Sequence, residues 1–138
     1  MKPALIVMSH GKFSNEIIES AKMILGNIEG YETVSMLNEE GFEITSKKLQ
    51  KCIDKLDRNN ILILVDLYGG TPFNIANIFS HKENNIRLIA GMNLAMIIEY
   101  FSSNTEDLDV LVNEIIKAGK DNISIPMVEE YNNIELDE

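Results

Sequence analysis

The chain reads as an α/β protein, with a doubly wound, mostly parallel sheet flanked by helices. Three observations predict it. Short aliphatic runs rich in β-branched residues lie at residues 4–8, 31–36, 61–65 and 86–90. Each is followed by a stretch in which apolar residues recur at helical spacing. The runs are apolar throughout, as strands are when helices cover both faces of a sheet, and strict alternation of strand and helix sets successive strands parallel.

Residues 4–8 form the first strand, bounded by Pro3 and by Ser9-His10-Gly11. Ile17, Ala21, Ile24 and Ile28 then recur at helical spacing, with Ser14 as the expected cap and Gly26 as the stop. Residues 31–36 give a second strand, followed by a helix whose inner stripe is Leu49, Cys52, Ile53 and Leu56 with lysines outside it. Residues 61–65 are the most apolar stretch and the third strand. After the loop Asp66-Leu67-Tyr68-Gly69-Gly70, Thr71 reads as an N-cap and Pro72 as a first-turn proline of a helix over 72–80. The fourth strand is 86–90, followed by a turn at 91–93, a short helix over 94–101 and a longer helix carrying Leu108, Leu111, Val112, Ile115 and Ile116. Residues 124–128 are expected to form a last short strand.

A length of 138 residues fits one domain, taken as residues 1–128. Residues 129–138 form an acidic tail with five carboxylates and no base, which is half of the formal net charge of −10. With 22 acidic against 12 basic side chains, nucleic acid and anionic membrane surfaces are poor partners. The single cysteine, Cys52, excludes an internal disulfide and is read as a core thiol. The five-residue apolar run near the start is too short for a signal peptide or a span, so a cytoplasmic protein is expected.

In parallel α/β sheets the working site lies beyond the carboxyl ends of the strands. Two polar groups are predicted there: Ser9-His10-Gly11 after the first strand, and Asp66 with Gly69-Gly70-Thr71-Pro72 after the third. A nucleophilic imidazole needs one nitrogen bare and the other holding its proton against an acceptor, and Asp66 is the natural acceptor for His10. Two glycines leading into a helix N-terminus make an anion cradle, to which the hydroxyls of Thr71 and Ser9 add donors. Histidine, carboxylate and cradle together suit one task above others, which is to take a phosphoryl group onto the ring and hand it on. No metal cluster is visible, and no cofactor is expected. His81 reads as a surface residue at a helix end, and Met92 and Met96 as packing residues. There is no G-x-x-x-x-G-K-[ST] loop and no G-x-G-x-x-G after the first strand. Ser9 stands where a histidine phosphatase of the mutase type carries arginine.

Ala4-Leu5-Ile6-Val7-Met8-Ser9-His10-Gly11, Ala21-Lys22-Met23-Ile24-Leu25-Gly26, Asp66-Leu67-Tyr68-Gly69-Gly70-Thr71-Pro72-Phe73-Asn74 and Ala90-Gly91-Met92-Asn93-Leu94-Ala95-Met96 resemble the IIA component of the mannose/fructose/sorbose class of the bacterial sugar phosphotransferase system. The likeness covers residues 2–128. It implies a phosphocarrier that accepts a phosphoryl group from the carrier HPr and passes it to a IIB component while the membrane components IIC and IID import sugar. By position, His10 would carry the group, Asp66 would support it, and Ser9, Gly70 and Thr71 would face the phosphate. The resemblance also implies a homodimer in which the last, antiparallel strand, here 124–128, is exchanged. Lys12 departs from the aromatic residue that members often carry there. With no IIB domain in the chain, the acceptor is expected to be a separate polypeptide. The relative that serves dihydroxyacetone kinase shares the histidine-bearing strand but lacks the Gly-Gly-Thr-Pro-Phe-Asn form. It is the alternative, together with a regulatory module that transfers nothing.

Overall fold

The computed structural model describes residues 1–127. Four strands, β1 (Ala4–His10), β2 (Tyr31–Met36), β3 (Ile61–Val65) and β4 (Ile86–Ala90), alternate with α1 (Phe13–Leu25), α2 (Phe42–Leu56) and α3 (Thr71–Lys82). Helices α4 (Leu94–Ser102) and α5 (Leu108–Asp121) complete the order. The sheet runs β2-β1-β3-β4 and every pair is parallel. This is the doubly wound architecture that the alternation of strand and helix predicts.

The pleat divides the core in two. On one face Leu5, Val7, Leu62 and Leu64 pack with α1, α4 and α5, and on the other Ala4, Ile6, Met8, Ile61, Ile63 and Val65 pack with α2 and α3. All of β3, and β1 as far as Ser9, is buried. At about 2 kcal/mol for each fully buried aliphatic side chain, these two central strands supply a large part of the drive to fold. Met92 and Met96 are core residues, as expected.

Local details differ from the expectations. β1 runs past Met8 to His10, because Ser9 and His10 pair in register with Ser35 and Met36 of β2. Lys12, not Ser14, occupies the cap of α1, and Ser14 is buried in the first turn. Gly11 is in the left-handed region (φ 55°) and turns the chain straight from strand to helix, which starts the helix earlier. Ile24 is exposed rather than inward, the inner stripe of α1 being Ile17, Ile18 and Ala21, with Ile28 packed below. Gly70 caps α3, so Thr71 is its first residue and not its cap. Residues 124–127 form neither helix nor strand, and position 128 and the tail 129–138 lie outside the described residues. A strand needs a ladder to pair with, and an exchanged strand takes its ladder from the other subunit.

Candidate functional site

The strand order reverses between β1 and β3, and both candidate loops leave the sheet at that point. Met8 and Val65 are the last pair between these strands, while β1 continues two residues further against β2. Beyond Val65 the backbone ladder on the β3 side has ended, and the side chain of Asp66 takes its place. Its Oδ2 accepts the backbone N–H of His10 at 2.9 Å and meets the ring Nδ1 at 2.8 Å, and its Oδ1 accepts the N–H of Leu67 at 3.0 Å. A carboxylate can only accept, so Nδ1 carries the proton and Nε2 is left bare. The Asp66 side chain is 10% exposed and that of His10 is 45% exposed, which shelters the acceptor and opens the ring to solvent.

Gly70 lies against the bare edge of the ring. A Cβ there would sit 3.1 Å from His10 Cε1 and 3.3 Å from Nε2, and the residue's φ of 86° is one that side chains rarely adopt. Glycine is therefore required both by the backbone and by the histidine. Thr71 follows directly and opens α3, whose first turn has no side-chain cap. Its leading N–H groups lack intrahelical acceptors, and the helix end carries partial positive charge, so an anion on Nε2 meets donors in place.

His10, Asp66, Gly70 and Thr71 are thus brought together. Ser9 is close in sequence but directed elsewhere, because adjacent residues of a strand face opposite sides. Its buried hydroxyl donates to the Gly11 carbonyl at 3.1 Å and accepts the Ser14 N–H at 2.7 Å. The Gly11 N–H donates to the Met36 carbonyl at 2.8 Å. Ser9 clamps the turn that follows His10, and its donor is committed to that turn. Reading the sequence locally misses this clamp, since its signal is the two-residue overhang of β1, set by pairing with a distant strand. It also misses the apolar rim formed by exposed Phe13, Leu37, Leu67 and Tyr68, each just after a strand end. Among the described residues no cluster of three or more His, Cys, Asp or Glu side chains is placed to hold a metal ion. No described helix is long and apolar enough to cross a membrane.

The largest groove, about 1020 Å³, is elsewhere. It follows the outer edge of β4 and is walled by Tyr68, Phe73, Leu88, Ile116 and Ile123, without His10 or Asp66. For group transfer between proteins the reacting atom must be reachable, so the open ring at the switch point, and not the deepest hollow, is the chemical centre.

A doubly wound domain that presents a carboxylate-backed imidazole at a helix N-terminus defines a class of histidine-bearing carrier domains. The family comparison makes this particular: residues 4–116 match the model of the family described as the PTS system fructose IIA component, and the chain belongs to that family. It is 29% identical over 126 residues to the PTS system mannose-specific EIIAB component of Escherichia coli (strain K12), covering 89% of this chain and 39% of that protein's length. It is 30% identical over 100 residues to the PTS system fructose-specific EIIA component of Bacillus subtilis (strain 168), covering 72% of this chain and 68% of that one. Among solved structures, a mannose/sorbose specific IIA subunit from Enterococcus faecalis superposes with a TM-score of 0.87 at 36% identity, covering 93% of this chain and 97% of that one.

Proposed function

We propose that the chain is a phosphoryl-transfer protein of a sugar phosphotransferase system, taking a phosphoryl group from phospho-HPr on His10 and passing it to a separate IIB component during sugar uptake. The observation that carries this reading is the 2.8 Å contact of His10 Nδ1 with Asp66, which leaves Nε2 bare beside Gly70. The Nε2 lone pair forms a P–N bond as the P–N bond of the donor's phosphohistidine breaks. The ring becomes cationic in the process, and the Asp66 carboxylate stabilises that charge while the proton stays on Nδ1. Gly70, Thr71 and the first turn of α3 receive the phosphoryl oxygens. Transfer onward repeats the step with the IIB component as acceptor. The apolar rim around His10 supports short-lived docking of carrier proteins, and the membrane components IIC and IID act downstream on the cytoplasmic side.

The working unit is residues 1–128, paired as a homodimer by exchange of residues 124–128 along β4. The groove beside β4, and the exposed Ile123 and Ile125 that lead toward it, support this arrangement. The direct test incubates the purified chain with phosphoenolpyruvate, enzyme I and HPr. One acid-labile phosphoryl adduct per chain is expected, chased off by a IIB component. An unlabelled wild type, or a label that no IIB component removes, overturns the reading.

A further inference from the structure

A second groove, about 380 Å³, lies beside β2 between the start of α1 and the outer face of α2. Its charged lining is Lys12, Lys48 and Lys51, and no carboxylate lines it. That is three of 12 basic side chains gathered in one place, in a chain with 22 acidic ones. Lys48 is already occupied, because its Nζ donates to the Ser35 carbonyl at 2.9 Å and pairs with Glu40. Among the described residues Lys12 and Lys51 form no ion pair, so two cations stand free for an outside anion.

The groove adjoins the His10 site. Lys12 follows His10 by two positions, and Ser35, another lining residue, pairs in register with Ser9. The edge of β2 is closed to an added strand. The Leu5 N–H donates to the Gly30 carbonyl and the Gly11 N–H to the Met36 carbonyl, so even-numbered carbonyls face β1 and odd-numbered ones point outward. Lys48 binds the outward carbonyl of Ser35, and the Cys52 thiol binds that of Thr33 at 3.8 Å. Whatever seats here is therefore held by charge and side chains, not by a backbone ladder.

We propose that Lys12 and Lys51 form the electrostatic capture surface for the phosphorylated form of the donor protein. The proposal rests on the transfer reading above. A phosphoryl group adds about −1.5 to −2 charge to its carrier at neutral pH. A body that is acidic nearly everywhere repels such a carrier, and a lysine groove beside the acceptor ring gives it one attractive approach. Once its phosphoryl group has moved to His10, the donor has lost the charge that the groove attracts, and it leaves. The acceptor, arriving without a phosphoryl group, gains no such help.

The test is transfer from phospho-HPr to the full chain carrying Lys12→Gln and Lys51→Gln together. At low salt kcat/KM is expected to fall about 10-fold, through KM and with kcat changed less than about 2-fold. The gap between variant and wild type should close near roughly 1 M salt, where the screening length is about 3 Å. Chase of the label into a IIB component, run in parallel, should change less than about 2-fold. Donor kinetics within 2-fold of wild type, or a loss confined to the IIB step, overturns the proposal. Labelling of wild-type His10 by phosphoramidate, a small donor that needs no docking, separates the two layers. If phosphoramidate leaves His10 unmodified, the transfer reading fails. If it labels His10 while the lysine variant behaves as wild type toward phospho-HPr, only the capture surface fails.

Discussion

The two histidines occupy opposite ends of one helix, and the contrast between them shows what makes a histidine a phosphoryl acceptor. His10 stands at the N-terminus of α3, against its cap Gly70, and His81 lies in its last turn. Both are exposed, and in both Nδ1 has a partner, Asp66 Oδ2 at 2.8 Å for His10 and the Asn77 carbonyl at 2.7 Å for His81. Exposure and a fixed tautomer are therefore not the distinguishing features. What differs is the charge of the partner and the helix end nearby. A carboxylate stabilises a ring that turns cationic on accepting a group, and a carbonyl does so far less. The N-terminus of a helix favours the anion that arrives, while the C-terminus opposes it.

The largest effect expected from this contrast is at the rings themselves. His10→Ala should abolish the acid-labile adduct formed from phosphoenolpyruvate, enzyme I and HPr, while His81→Ala should keep one adduct per chain. Residual label in the first protein, or its loss in the second, would break the comparison outright. Next comes the partner's charge. Asp66→Asn keeps an acceptor for the His10 N–H groups but removes the negative charge, and transfer is expected to slow on the order of 100-fold with the fold retained. Stopped-flow rates within 3-fold of wild type would remove Asp66 from the chemistry.

How much of this contrast was legible beforehand depends on whether the cause was local. Three strands, Tyr31–Met36, Ile61–Val65 and Ile86–Ala90, were legible to the residue because a buried strand is a continuous aliphatic run. The convergence of His10 and Asp66 was legible because both loops follow strands that the fold class places at one end of the sheet. Ser9 was not, since its direction depends on whether β1 ends at Met8 or continues, and the two polar residues that extend it are fixed only by pairing with Ser35 and Met36. The cap of α3 was misplaced by one residue because Thr71-Pro72 carries the usual start signal, whereas Gly70 holds the position for a reason visible only with His10 in place. The lysine groove gathers positions 12, 48 and 51, which no local pattern connects.

Smaller effects sharpen the His10 side of the comparison. Gly70→Ala forces a Cβ into the ring edge and a strained backbone, costing about 1–3 kcal/mol of stability and roughly 10-fold in transfer rate. Thermal melting and labelling kinetics should move together, and a rate loss without a melting shift would mean that the contact with the ring alone matters. Ser9→Ala leaves the Gly11 carbonyl and the Ser14 N–H without their buried partner, worth about 1–3 kcal/mol in the melt and only about 2- to 3-fold in rate. A 10-fold loss of rate with an unchanged melt would return the Ser9 hydroxyl to the phosphate.

The smallest expected effect is the most discriminating. Asn77→Asp places a carboxylate one turn before His81, on the residue whose carbonyl already holds the ring, and so supplies His81 with the charge it lacks. It supplies no helix N-terminus, since residue 81 stays in the last turn of α3, where carbonyls and not N–H groups would face an incoming phosphoryl group. In a His10→Ala background this variant should therefore remain unlabelled, as measured by mass spectrometry at neutral or alkaline pH to preserve phosphohistidine. Label appearing at His81 would show that a carboxylate alone activates the ring. The anion cradle at Gly70 and Thr71 would then be an aid to transfer and not the condition for it.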